Sequence, residues 1–146
     1  MANHLRRELH KRDWDITIVD ERKEHHYQPG YLFLPFDIYK PEDITKPIAE
    51  FIPEGVDLLT EKIDKVQPKE NTVLLADGTR LSYEILIIAT GADIAPEEIE
   101  GMEGPEWRKS IFDFYTLDGA LALRDKLRDW PGGKLVVHIA EIPIKC

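Results

Sequence analysis

The chain has 146 residues, 42% hydrophobic and 32% charged, which is enough for one small core and unlike a disordered composition. Acidic residues outnumber basic ones, 28 to 19, and the resulting net charge of −9 argues against a nucleic-acid partner, because an acidic surface repels a phosphate backbone. A single cysteine excludes an internal disulfide and a four-cysteine metal or cluster site. No apolar run approaches the roughly 18 residues that span a bilayer, and there is no signal-peptide core at the start, so a soluble, cytoplasmic chain is expected.

Met1 to Arg12 consists of helix formers, with Met1, Leu5 and Leu9 spaced to give a narrow apolar stripe, so this stretch reads as a helix. Trp14 to Val19 alternates like a strand and ends in Asp20. In a dinucleotide fold the second strand ends in an acid that bonds ribose hydroxyls, about 20 residues beyond a Gly-rich loop. Here the acid is present and the loop is not, as expected if the chain begins inside the first helix of such a fold. The alternative for Asp20 is an ordinary acid at a strand end.

Glu24 to Pro35, EHHYQPGYLFLP, reads as an aromatic loop. Tyr27, Pro29, Tyr31 and Phe33 suit a flat conjugated ring, which needs apolar faces and polar groups at its edge. His25 and His26 are adjacent, so in extended backbone they point apart; with no third ligand at matching spacing, no metal site is expected. Thr45-Lys46-Pro47 reads as the capped start of a short helix or irregular cover.

A β run over Val56–Leu59, continued by Ile63 and Val66, precedes a turn at Pro68–Asn71, a strand at Thr72–Leu75, an Asp77-Gly78 turn and a strand at Thr79–Leu81. Next comes YEILIIATGAD, residues 83–93. Its Ile85-Leu86-Ile87-Ile88 run is too apolar for one solvated face and predicts a central strand covered on both sides. Ala89-Thr90-Gly91 then puts a small residue, a hydroxyl and a glycine at the strand's carboxyl end, where a phosphate or ribose can approach the backbone. A core strand ending in a plain glycine turn is the competing reading, and these residues alone leave both open.

Residues 92–104 are acidic and loop-like. Thr116 or Asp113 can cap a helix across Leu117–Leu127 that ends at Trp130-Pro131-Gly132-Gly133, with Arg124 and Lys126 on its wet side. Lys134–Ala140 reads as a second buried strand, running into Ile142-Pro143-Ile144-Lys145-Cys146 with no glycine.

The order of meander, apolar strand and ATG resembles the two-dinucleotide-binding-domain flavoproteins, in which an antiparallel meander feeds a parallel strand ending beside FAD. The resemblance implies an α/β chain, an incomplete FAD-binding Rossmann-like domain with an antiparallel β meander. Residues 1–104 would hold the partial FAD domain, with the meander at about 56–82, and 105–146 the helix and first strand of a second dinucleotide-binding-like domain. Asp20, Pro29, Lys62, Ile63, Ala89, Thr90 and Gly91 are the implied cofactor contacts. Lys62 and Ile63 enter because the family's β run bends there and its backbone meets the adenine; plain strand pairing is the alternative.

Nicotinamide-dependent relatives continue the second strand into another Gly-rich loop, and without glycines the backbone cannot wrap a pyrophosphate. The HHYQPG and IPIKC segments are instead similar to sulfide:quinone oxidoreductases, where a Pro-x-x-Cys delivers a redox cysteine toward the flavin. That resemblance implies Cys146 as the catalytic residue, FAD as the cofactor of the full-length parent, and sulfide and quinone as its partners. A thiolate suits sulfur exchange because it is both nucleophile and leaving group, and Lys145 favours its charged form. Peripheral membrane association would come only through a C-terminal part that this chain lacks. Firm FAD binding and turnover by the chain alone are not expected, and an unpaired strand edge makes a homo-oligomer an expectation. A type II NADH:quinone reductase and a non-catalytic nucleotide-fold interaction module are the alternatives.

Overall fold

A computed structural model describes residues 1–139, which fall into two compact units. The first takes Met1–His25 and Lys46–Thr90; the second takes His26–Thr45 and the described residues from Gly91 on. β2 (Glu24–His26) pairs with β3 (Thr45–Pro47) where the chain passes from one unit to the other and back.

In the first unit, α1 (Ala2–Glu8) forms within the expected stretch but stops short of Arg12, since Leu9 is already extended. Its Arg6 fixes it: Nη1 donates to the carbonyls of Trp14 and Gly55, both at 3.1 Å, and Nη2 to that of Leu9 at 2.6 Å. β1 (Thr17–Asp20) pairs in parallel with β4 (Asp57–Thr60), in the register Ile18 with Leu58 and Asp20 with Thr60. The single β run expected from Val56 to Val66 is thus two strands, because the chain turns away at Glu61-Lys62. β5 (Ile63–Gln67), β6 (Thr72–Leu75) and β7 (Arg80–Ser82) form the antiparallel meander, with a register shift between Ile63 and Lys65.

The Asp77-Gly78 turn closes as the sequence predicts. Gly78 takes a left-handed φ of 89°, and the Asp77 carboxylate accepts from the Thr79 amide at 2.8 Å and hydroxyl at 2.9 Å. Val56, Val73 and Leu75 are the buried apolar residues here.

In the second unit the core is Tyr31, Leu34, Ile44 and Ala120, with Phe114, Leu117 and Leu121 packed against it. Leu34 is fully enclosed. Residues Gln28–Leu32 and Leu34–Phe36 form short 3-10 turns, each with a proline in its first turn, so the expected loop is built rather than irregular. α2 (Pro41–Ile44) starts five residues before the helix that Thr45 was expected to cap. Pro41 is the reason: it sits early in the first turn, while the Asp43 carboxylate accepts the Lys40 amide at 2.8 Å. Thr45 therefore opens β3 instead of capping a helix, and the 3-10 turn Ile48–Phe51 follows it. α3 (Leu117–Asp129) is capped by Thr116, whose hydroxyl oxygen accepts the Gly119 amide at 3.0 Å.

Two expected strands are not formed. Ile85–Ile88 has no ladder partner, and Ile85 and Ile88 are 66% and 70% exposed. Residues 134–139 are likewise neither strand nor helix, with Leu135, Val136 and Val137 open to solvent. Apolar, β-branched composition sets a tendency to be buried in a sheet, but a strand exists only where a neighbour supplies hydrogen bonds. Among the described residues, neither stretch finds one.

Candidate functional site

The parallel pair of the first unit sets the frame. β1 and β4 end side by side at Asp20 and Thr60, and the Glu61 amide donates to the Asp20 carbonyl at 3.1 Å, tying the two carboxyl ends together. In open α/β sheets, ligands bind beyond the carboxyl ends of the strands. Asp20 is half-buried; its Oδ1 accepts the Arg22 amide at 2.9 Å, which fixes the side chain across the strand end. Among the described residues nothing bonds its Oδ2, so the carboxylate has an open acceptor for a pair of hydroxyls.

Lys62 follows directly, and its backbone is engaged: the carbonyl accepts the Ala76 amide at 2.8 Å and the amide donates to Glu61 Oε1 at 2.9 Å. The first bond belongs to the edge of the meander, whereas the second is local and exposed. Ile63 begins β5 opposite Leu75, just before the register shift. Asp20, Lys62 and Ile63 are thereby brought to one end of the first unit.

Ala89 and Thr90 close that unit, and Gly91 opens the second. All three are exposed. Gly91 has φ 81°, and no heavy atom lies within 4 Å of where a Cβ would stand. The backbone at Gly91 is therefore open to close approach on that side. Pro29 lies in the second unit, exposed, in the first turn of Gln28–Leu32. Behind it Gly30 is buried, and a Cβ there would stand 2.5 Å from Ile44 Cγ2. Cys146 and the IPIKC segment lie outside the described residues.

His25 and His26 do not converge. His25 packs at 4.9 Å, tilted, against Phe51 in the first unit, and His26 meets the edge of Tyr31 at 6.2 Å in the second. Among the described residues, no group of three or more potential ligands is placed to hold a metal.

The sequence reading offered Thr116 and Asp113 as alternative caps of α3; in the structure they act together, and Arg108 beside them was missed. Asp113, 7% exposed, accepts through Oδ1 from the Tyr115 and Thr116 amides at 3.1 and 2.9 Å and from the Thr116 hydroxyl at 2.8 Å. Its Oδ2 faces Arg108 Nη2 at 3.7 Å. The Asp-x-x-Thr-x-x-Gly spacing is the only local signal of this cluster, and Arg108 leaves none. No helix among the described residues is long and apolar enough to cross a membrane.

A sulfide-quinone reductase of Aquifex aeolicus is 30% identical over 132 residues, 90% of this chain and 29% of its own length. A mitochondrial sulfide:quinone oxidoreductase of Dictyostelium discoideum is 25% identical over 137 residues, 93% of this chain and 30% of its own length. Over most of its length the chain is similar to sulfide:quinone oxidoreductases.

The X-ray structure of the Aquifex aeolicus sulfide:quinone oxidoreductase superposes with a TM-score of 0.69 at 25% identity, over 87% of this chain and 28% of that one. The NDH2 of Plasmodium falciparum, solved with NADH, is alike in fold: TM-score 0.61 at 21% identity, over 81% of this chain and 25% of that one. No family model matches the chain. The chain spans about 30% of the length of the sulfide:quinone oxidoreductases it resembles.

Proposed function

We propose that this chain supplies the ribose- and phosphate-facing part of an FAD-binding Rossmann-like domain in an oxidoreductase that oxidises sulfide and reduces quinone. The observation that carries the reading is the 30% identity to a sulfide-quinone reductase along 90% of the chain. The 0.69 superposition on a solved sulfide:quinone oxidoreductase supports it. The Asp20 carboxylate at the end of the parallel pair is a hydrogen-bond acceptor for ribose hydroxyls, and the open backbone at Ala89, Thr90 and Gly91 admits the polar edge of the cofactor. Lys62 and Ile63 offer backbone at the same end of the first unit for the adenine. Pro29 and the aromatic residues around it offer apolar cover for a flat ring.

FAD, when bound, supplies two-electron transfer between sulfur and quinone. The protein's part in the sulfur step falls to Cys146. Attack of hydrosulfide on a bond between the Cys146 sulfur and another sulfur forms a persulfide and releases a thiolate, which carries away the electron pair of the broken bond. The domain division at about residue 104 and the second dinucleotide-binding-like domain belong to the same proposal.

A type II NADH:quinone reductase reading rests on likeness of fold alone. The test separates the two. The chain, and a version extended at both ends from its parent gene, are purified and their visible spectra recorded before and after anaerobic addition of sulfide. Bleaching of a flavin band in the extended protein, lost in Cys146→Ser, is the expected result. A flavin that answers only to NADH, or no flavin at all, overturns the sulfide reading in favour of the NADH enzyme or of a non-catalytic module.

A further inference from the structure

The 3-10 turn Leu34–Phe36 ends on a left-handed residue that is not glycine. Asp37 has φ 54° and ψ 22°; its amide donates to the Leu34 carbonyl at 3.1 Å, and the Ile38 amide reaches back to the Phe33 carbonyl at 3.2 Å. Helical turns commonly stop by this double closure, and glycine is the usual residue at its left-handed position because a side chain there costs energy. Aspartate tolerates such backbone through hydrogen bonds within its own turn. Here the carboxylate faces α3 instead, with Oδ1 4.0 Å from Arg124 Nε and Oδ2 3.6 Å from Arg128 Nη2.

Arg124 and Arg128 are one helical turn apart, so both guanidiniums reach one carboxylate. Asp125 holds them from the helix side, its Oδ1 lying 3.3 Å from Arg124 Nε and 3.6 Å from Arg128 Nη1. The Arg124 side chain is only 21% exposed, so its pair is screened less than an ordinary surface bridge, and a network of four charges is worth more than an isolated pair. Ala120, one turn before Arg124, belongs to the core that encloses Leu34 and Tyr31. The aromatic segment is thus fixed to α3 twice, by buried packing at Leu34 and by charge at Asp37. Phe33 and Tyr39 flank the closure and meet edge to face at 5.3 Å. They are 39% and 37% exposed, so the core alone does not hold their rings.

We propose that Asp37 is a positioning residue: by closing its turn onto Arg124 and Arg128, it sets how Pro29, Phe33 and Tyr39 are presented to the flat ring of a cofactor. The ring-facing half of this proposal rests on the reading that Pro29 and its neighbours cover the flavin. The clamp itself is a property of the second unit alone.

Amide exchange in the 146-residue chain tests the clamp. Asp37→Asn keeps the shape and the tolerance of left-handed backbone without the charge, Arg128→Met removes a cation and Arg128→Lys keeps one. Asp37 and Arg128 are 59% and 56% exposed, so these variants leave the unit folded, which circular dichroism checks. The Ile38 amide should exchange roughly two- to fivefold faster in Asp37→Asn and in Arg128→Met, but not in Arg128→Lys. Asp37→Asn should have a smaller effect in the Arg128→Met background, and 0.5 M salt should narrow every gap. An Ile38 amide indifferent to Asp37→Asn, or additive effects of the two changes, overturns the clamp. The second readout is the visible circular dichroism of flavin in the version extended at both ends, which reports the asymmetry around the ring. Asp37→Asn should alter that band at unchanged flavin content, and Arg128→Lys should not. Faster Ile38 exchange with an unaltered flavin band overturns the positioning role. An extended protein without flavin overturns the functional reading and the ring-facing half with it, while the exchange result still decides the clamp.

Discussion

The carboxylate of Asp113 stands where an alanine side chain at position 119 would have to go. Gly119 is the third residue of α3, and its amide donates to the capping Thr116 hydroxyl, which itself donates to Asp113. Two effects of Gly119→Ala therefore compete. Helix propensity alone would stabilise by about 1 kcal/mol, whereas overpacking a closed site costs roughly 1–3 kcal/mol. Because Asp113 is buried and held by three hydrogen bonds, it cannot simply swing away, and the steric cost wins.

Gly119→Ala should accordingly lower the denaturant midpoint. Asp113→Ala should cost about 2 kcal/mol through the lost bonds to the Tyr115 and Thr116 amides and to the hydroxyl that caps α3. The double variant should cost less than the sum, since the smaller side chain vacates the space. Additive effects, or a stabilised Gly119→Ala, would show that the carboxylate does not close this site.

How far the sequence reveals the structure depends on whether a signal is local. The Asp77-Gly78 turn, the Thr116 cap and the parallel partner-end acid Asp20 are written in neighbouring residues, and each forms where those residues predict. The Ile85–Ile88 and Lys134–Ile139 runs were legible as β-forming, but a strand is a property of two segments, and composition does not report whether the second is there. Arg108 was invisible for a related reason: its role comes from a carboxylate five positions on that loop geometry folds back toward it. Among the candidate cofactor residues, Asp20 and Lys62 come together because β1 and β4 pair, a register no local motif encodes.

Gly30 is constrained by contact rather than by backbone conformation. Its φ is ordinary, and the obstacle to a side chain is Ile44 Cγ2, 2.5 Å from the added Cβ, in a residue only 2% exposed. Gly30→Ala should destabilise by roughly 1–3 kcal/mol. Ile44→Leu removes the branch that collides, so Gly30→Ala combined with Ile44→Leu should be more stable than the two single losses added together. Unfolding curves of the four proteins decide it; strict additivity would place the strain elsewhere.

Gly78 is the converse case. Nothing lies within 4 Å of its Cβ position, but φ is 89°, a conformation L residues adopt at a cost. Gly78→Ala should destabilise by about 1 kcal/mol from backbone strain alone, and Gly78→Asn by less, because asparagine tolerates left-handed backbone. Equal midpoints for the alanine and asparagine variants would argue against strain as the cause.

Glu54 and Lys11 form an exposed ion pair at 3.0 Å in the first unit. The hydrogen bond from the Lys11 ammonium, and then its charge, hold the Glu54 carboxyl below the usual glutamate range. A carboxyl whose folded pKa lies below its unfolded value adds stability that is complete above the unfolded pKa and is lost as pH falls through the folded one. The bond is open to water, so its stabilising effect is small and salt screens it. Titration of the Glu54 carboxyl carbon by NMR should therefore give a midpoint below the ordinary value at low salt, moving up toward it in 0.5 M salt. Lys11→Met should produce the same upward move without salt. A midpoint that ignores both changes would mean that Lys11 does not set the ionisation of Glu54.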